Sequence, residues 1–419
     1  GIFLTIPSRF SVFQRFPQIL PKDAPPGPGT ESGSVSAFAP GVPAGLSGIF
    51  VEPDCRTRRT GIGQAEEHSQ IVYAPSQERR IIQMSAYSVE TEALYQGEQI
   101  QGMELHPESI PCFFTTAFTM RGFQEVQQTY ASKGYTYIRT RNPNRTALGE
   151  IVSCLEGGEE TLIFASGMGA ITSTLMALLE KGDHVICNAN IYGETFGVMT
   201  EILGKCGVEV SFVDFQNLDD VVRAVRPETK LIYSEVFSNP TLVLADLKSL
   251  GEIAHQRGAL LMVDNTFTSP VAIQPISFGA DIVVNSLTKF LNGHSDAMGG
   301  AVTARKTLCA KIQSTAMLLG TPGEPFSAWL IQRGIQTAAL RLPRQMHTAE
   351  RLAKALAESP HVKKVYHPSL PGYPQRELAD SMFGPNGYCA MLSFVVEEDL
   401  EKIDQFMLAL RFPRYAPTL

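Results

Sequence analysis

Apolar and polar positions change rhythm twice along this chain. From about residue 150, short apolar runs at Thr161–Ala165, His184–Asn188, Val208–Val213, Lys230–Val236, Ala259–Asp264 and Asp281–Asn285 are separated by longer stretches. The runs show little polar alternation and read as strands buried on both faces. Met168–Leu179, Leu218–Val225 and Leu247–Gln256 lie between them with a helical apolar period. Strands that alternate with helices predict an α/β fold around a mostly parallel sheet. From about 340 the texture shifts to a helical stretch through Arg351–Glu358, strand-like runs at Val362–Tyr366 and Ala390–Val396, and a helical pattern at Leu400–Leu410. This predicts a smaller α/β domain, expected to be incomplete at Leu419. Residues 21–48 are rich in Pro, Gly, Ser and Ala and read as a linker or disordered tail. Residues 49–86 carry no placeable pattern. The expected division is an N-terminal extension over 1–86, an N-terminal arm over 87–145, a large domain over 146–340 and a partial C-terminal domain over 341–419.

Composition narrows the function classes. With 419 residues, 44% hydrophobic and 18% charged, the chain has the balance of a globular protein with a large core. A formal charge of −7 argues against nucleic acid or an anionic membrane as main partner. No run reaches the ~18 apolar residues of a spanning helix. The seven cysteines (55, 112, 154, 187, 206, 309 and 389) form no C-x-x-C pair and fit neither a zinc nor a disulfide framework. They read as reduced thiols of a cytoplasmic protein with no metal site. Residues 1–22 hold Arg9, Arg15 and Lys22 and no acid, which also fits the edge of an organelle transit peptide.

Four strand ends carry the candidate chemistry. After Thr161–Ala165 come Ser166-Gly167-Met168-Gly169, small residues that open a helix and let backbone N–H groups approach an anion. Such turns are equally common as packing features. The strand Ala259–Val263 runs into Asp264, a carboxylate costly to bury unless paired. It reads as the partner of a protonated ring nitrogen or, taken singly, as a turn cap. Asn285-Ser286-Leu287-Thr288-Lys289-Phe290 places a lysine after an apolar strand, between apolar neighbours and beside two hydroxyls. Desolvation lowers a lysine pKa and makes the amine a Schiff-base nucleophile, and Ser286 and Thr288 are suited to a nearby phosphate. Fourth, Tyr192 in Ala189-Asn190-Ile191-Tyr192-Gly193 is placed either to stack on a planar cofactor or to fill the core.

Taken together the motifs resemble the Cys/Met-metabolism family of pyridoxal-phosphate (PLP) enzymes, from about Tyr87 to Leu419. The most specific is Ser286-Leu287-Thr288-Lys289-Phe290-Leu291-Asn292-Gly293-His294-Ser295-Asp296, like the family's S-x-T-K-Y-x-x-G-H-S-D signature. It is joined by Tyr135–Pro143, Ser166–Ala170, Ser238-Asn239-Pro240-Thr241 and Val263–Phe267. The resemblance implies the aminotransferase-like fold type I of PLP-dependent transferases. It implies a Schiff base on Lys289, Asp264 on the pyridine nitrogen, and Tyr192 stacked on the ring. Gly167 and Met168 (through backbone N–H), Ser286 and Thr288 would hold the phosphate, and Asn239 would lie near the phenolic oxygen or the substrate. Tyr137 and Arg139 would reach the phosphate of a neighbouring subunit, making the active protein a dimer or, more fully, a homotetramer.

Within the family, Leu155-Glu156-Gly157-Gly158, Ser166–Thr174 and Tyr192–Phe196 look like methionine γ-lyases. Val362–Leu370 and Ala390–Phe394 look more like cystathionine γ-synthases and γ-lyases. The expected reaction is γ-elimination from methionine or cystathionine. The alternative is γ-replacement by a cystathionine γ-synthase or O-acylhomoserine sulfhydrylase. Glu194 stands where relatives carry Gly or Cys, so substrate choice is expected to differ. The arginine that clamps the substrate carboxylate in relatives has no assignable counterpart, which leaves a catalytically impaired protein as a third expectation. An aminotransferase or decarboxylase sharing the fold is disfavoured by the Tyr137–Arg139 pair and by Gly293-His294-Ser295-Asp296.

Overall fold

The computed structural model describes residues 3–7, 10–14, 88–96, 107–385, 387–411 and 414–415. The linker over 21–48 and the irregular stretch over 49–86 lie outside the described residues. Strands follow in the order β1 (Phe3–Pro7), β2 (Phe10–Gln14), β3 (Glu160–Phe164), β4 (His184–Asn188), β5 (Glu209–Val213), β6 (Thr229–Glu235), β7 (Leu260–Asp264), β8 (Ile282–Ser286), β9 (Gly300–Ala304), β10 (Lys364–Tyr366), β11 (Met391–Val395) and β12 (Arg414–Tyr415). Seven form one sheet in the order β3-β9-β8-β7-β6-β4-β5. Neighbouring strands from β8 through β5 pair in parallel, and β9 is antiparallel to both β8 and β3. All six strands expected in this region form, displaced by at most a residue or two at their ends. β9 lies beyond the alternating pattern, because Gly300-Ala301-Val302-Thr303-Ala304 is short and contains small residues.

Period-two alternation sorts the strand side chains onto two cores. Ile186, Ile232, Leu261 and Val263 face one apolar cluster. Val185, Leu231, Met262 and Val284 face the other. Both faces are therefore dry, which explains the unbroken apolar runs. Helices Gly167–Leu178, Leu218–Ala224 and Leu247–Gln256 fall where the periodicity places them.

The second sheet has the order β10-β11-β1-β2-β12, so the first residues of the chain pair antiparallel with β11. Nothing in the local pattern of residues 3–14 announces that partner. The helical stretch expected at Arg351–Glu358 is the end of a 20-residue helix, Ala338–Ala357. That helix crosses the expected boundary at 340. No helix among the described residues is long and apolar enough to cross a membrane.

Candidate active site

Ligands of parallel α/β sheets bind beyond the carboxyl ends of the strands. There, β6 ends at Glu235, β7 at Asp264 and β8 at Ser286. Glu235 is opposite Asp264 in the ladder, and Asp264 is opposite Val284. The Ser286 N–H donates to Thr266 Oγ1 at 2.8 Å, tying the two strand ends together.

The helix Gly167–Leu178 begins against this edge. Ser166 caps it, its Oγ accepting the Gly169 N–H at 2.9 Å. A Cβ on Gly167 would come within 2.9 Å of Ser286 Cβ, so only glycine lets the helix start lie so close to that serine. The first N–H groups of the helix, including those of Gly167 and Met168, lack intrahelical acceptors and form an anion-favouring corner beside Ser286.

Lys289 sits in the turn after β8, its N–H donating to the Ser286 carbonyl at 3.2 Å. Burial lowers its amine pKa, which raises the fraction of neutral, nucleophilic amine. Asp264 is partly open at the strand end, yet enclosed enough that desolvation raises its carboxyl pKa. The Thr266 N–H, 2.8 Å from Asp264 Oδ1, acts in the opposite sense. Tyr192 caps the short helix Gly193–Gly197 and is 40% exposed. Its N–H donates to Glu235 Oε1 at 2.7 Å. Burial raises the phenol pKa, and the charges of Glu194 and Glu235 raise it further.

An amine whose pKa burial lowers, a carboxyl whose pKa burial raises, an anion-favouring corner and a half-open aromatic ring match the reactive ends of PLP. The residues present fit that group.

The comparisons with known proteins agree. The model of the Cys/Met metabolism PLP-dependent enzymes matches residues 90–419. The chain belongs to this family. It is 42% identical to a cystathionine gamma-lyase of Bacillus subtilis over 287 residues, covering 68% of this chain and 75% of the relative. Against an L-methionine gamma-lyase of Porphyromonas gingivalis it is 37% identical over 314 residues, 74% of this chain and 78% of the relative. The solved cystathionine gamma synthase of Xanthomonas oryzae pv. oryzae superposes with a TM-score of 0.75 at 34% identity, covering 80% of this chain and 84% of that one. The protein is thus a PLP-dependent enzyme of fold type I.

Other expected site residues are placed less simply by the fold of this family member. The Thr288 hydroxyl accepts the Gly299 N–H at 3.0 Å and lies 3.3 Å from the Gly299 carbonyl, holding the lysine turn against the start of β9. Asn239 is half-buried in the loop after β6. Tyr137 and Arg139 stand together at the surface. The Arg139 guanidinium lies 5.4 Å from the centre of the Tyr137 ring and donates to the Met317 carbonyl at 2.8 Å. Among the described residues, no hydrogen bond links this pair to the strand-end cluster.

Two carboxylates escaped the sequence reading. Glu235 is buried, and desolvation together with Asp264 raises its pKa well above the usual carboxylate range. Its signal was the one that marked Asp264, an acid ending an apolar strand. Glu156 closes the helix Pro143–Glu156 and is fully buried. An acid at a helix C-terminus opposes the macrodipole, a local oddity that could have drawn notice. No cluster of metal-ligating side chains occurs among the described residues.

Proposed function

We propose that this enzyme is a lyase that carries out γ-elimination on a sulfur amino acid, methionine or cystathionine. The observation that carries the reading is the convergence of Lys289, Asp264 and Tyr192 on one sheet edge, combined with 42% identity to a cystathionine gamma-lyase. PLP, when bound, supplies an aldehyde for the substrate amine and an electron-withdrawing ring. Asp264 holds the ring nitrogen protonated. Lys289 Nζ takes the Cα proton and relocates it. Gly167, Met168, Ser286 and Thr288 would hold the phosphate, Thr288 also supporting the turn that carries Lys289, and Asn239 would lie near the reacting end. Tyr192 would pack against the ring and would move a proton. After a second proton loss at Cβ, the Cγ–S bond breaks. Its electron pair leaves with sulfur, which takes up a proton and departs as a thiol, while water hydrolyses the remaining unsaturated amino-acid skeleton to a 2-oxo acid and ammonia.

Tyr137 and Arg139 complete the site of a neighbouring copy. Tyr137 is 45% exposed, and Phe114, Phe123 and Tyr130 of the same arm are exposed as well, apolar surface of the kind that subunit contacts cover. The arm over 87–145 then serves the partner, the large domain over 146–340 holds the cofactor, and the assembly is a dimer of shared sites, paired into a tetramer. The six cysteines among the described residues are all free, in keeping with a cytoplasmic protein.

Gamma-replacement is the second reading, supported by the likeness to a solved cystathionine gamma synthase. Purified protein with PLP is incubated with L-methionine, with L-cystathionine, and with O-acylated homoserine plus cysteine. Thiol and 2-oxobutyrate from either of the first two support the lyase. Cystathionine from the third without elimination supports replacement, and a bound cofactor with no turnover on any of them overturns both. The exposed Glu194 beside Tyr192 bears on the choice of leaving group through its charge. Cystathionine's leaving portion carries both a carboxylate and an ammonium and methionine's neither, so in Glu194→Gln the ratio of their turnovers should change by up to ~5-fold, the size of one surface charge interaction.

A further inference from the structure

Glu156 is a buried acid in the least favourable place for one. It closes a helix, where the dipole is negative, and is 0% exposed. Among the described residues, the side chains that hydrogen-bond to it are neutral amides. Asn265 Nδ2 donates to its Oε1 at 3.0 Å and lies 3.3 Å from its Oε2, and Asn285 Nδ2 donates to Oε1 at 2.6 Å. A buried carboxylate without a cation is expensive, and apolar residues fill such space more cheaply.

The two asparagines show what the carboxyl holds. Asn265 directly follows Asp264, and Asn285 directly precedes Ser286. The backbone N–H of Asn265 donates to the Val284 carbonyl at 2.8 Å. The amide of Asn265 is aimed by Thr268 Oγ1, which donates to Asn265 Oδ1 at 2.5 Å, and it also donates to the Ile273 carbonyl at 3.0 Å. Asn285 has less support, since its Oδ1 is buried without a hydrogen-bond partner among the described residues. Its amide is therefore oriented by Glu156. One carboxyl thus grips the ends of β7 and β8, one carrying the acid for the ring nitrogen and the other the phosphate serine and the lysine turn.

We propose that Glu156 is a positioning residue for the cofactor. By clamping Asn265 and Asn285 it fixes the spacing between Asp264 and the Ser286–Lys289 segment at the span of the cofactor. The inference rests on the family's cofactor and not on which substrate the enzyme takes.

The test compares Glu156→Leu and Glu156→Gln. Gln keeps an oxygen for both amides and places an NH₂ only at the longer, 3.3 Å contact with Asn265. For each protein the PLP dissociation constant is measured by equilibrium dialysis, with melting curves with and without PLP. Glu156→Leu should weaken PLP binding ~10–100-fold, as misplaced supporting groups do, and close the gap between the melting temperatures with and without cofactor. Glu156→Gln should recover most of the affinity. Native affinity in Glu156→Leu, with both melting temperatures lowered equally, overturns the proposal, because Glu156 would then be structural only. Gln as weak as Leu also overturns it. Should Glu156→Leu fail to fold, Asn285→Ala carries the same test. It removes one arm of the clamp, and unchanged PLP affinity there overturns the proposal as well.

Discussion

Charge is handled in opposite ways at the strand ends and in the C-terminal region. Around Glu397–Lys402, Arg376–Asp380 and Glu350–Lys354, every acid named has a base within 3.1 Å, and the partners are largely solvated. At the ends of β6 and β7, Glu235 and Asp264 lie side by side with Glu156 behind them, and each has its pKa raised by burial. Surface pairs of the first kind contribute ~0–1 kcal/mol each. Buried acids of the second kind cost stability until a cation arrives. A protein keeps such an arrangement where a ligand supplies the missing charge, and a protonated pyridine ring is such a ligand.

The comparison can be broken at several points. Replacing Lys289 with Ala should cost the most, with turnover falling at least ~10²–10⁴-fold, the usual share of a positioned proton-transfer group. Borohydride treatment followed by mass spectrometry should then find no covalent cofactor adduct at position 289. Next comes a pH effect. Glu156 is pushed up to about 7 from an ordinary 4.5, chiefly by burial, with Asp264 adding to the rise and the two asparagine amides opposing it. The folded protein therefore holds this proton more tightly than the unfolded chain does. The stability it contributes is complete below about 4.5 and is lost as pH rises through about 7. Cofactor-free protein should lose on the order of 3 kcal/mol over that window, seen as falling denaturant midpoints. Glu156→Gln should flatten this slope, and an unchanged slope would assign the effect to another group.

Asp264→Asn removes the charge proposed to meet the ring nitrogen. PLP binding should weaken by about 1.5–3 kcal/mol, the worth of a charged hydrogen bond, while the cofactor-free protein becomes no less stable because a buried charge has gone. Lowered stability without PLP would contradict the view that Asp264 is a burden until the ring binds. The smallest effect belongs to the other region. Lys354→Ala should shift stability by no more than about 0.5 kcal/mol, and a larger loss would show that the C-terminal pairs do more than decorate a solvated face.

Much of this was legible in the chain. The six buried strands could be read because both sheet faces are covered, which forbids polar alternation and leaves a plain apolar run. Asp264 and Lys289 stood out because each is an ionisable residue at the end of such a run. Glu235 carries the same mark, an acid at the end of an apolar strand. Glu156 could not be read in this way, since its importance lies in Asn265 and Asn285, more than a hundred residues further along. Thr288 suits a phosphate by its neighbours in sequence, and its contact with Gly299 at the start of β9 is one that only the fold supplies.

The order of motifs and the apolar periods alone determined the fold class and the family and singled out Lys289 as the candidate Schiff-base lysine, because these depend on local spacing and on which residue types can be buried. Only the tertiary structure decided that β1 pairs with β11, that Tyr192 is held by Glu235, and that one carboxyl joins the ends of β7 and β8. These are contacts between residues distant in sequence, and no local pattern records which partner a buried polar group will find.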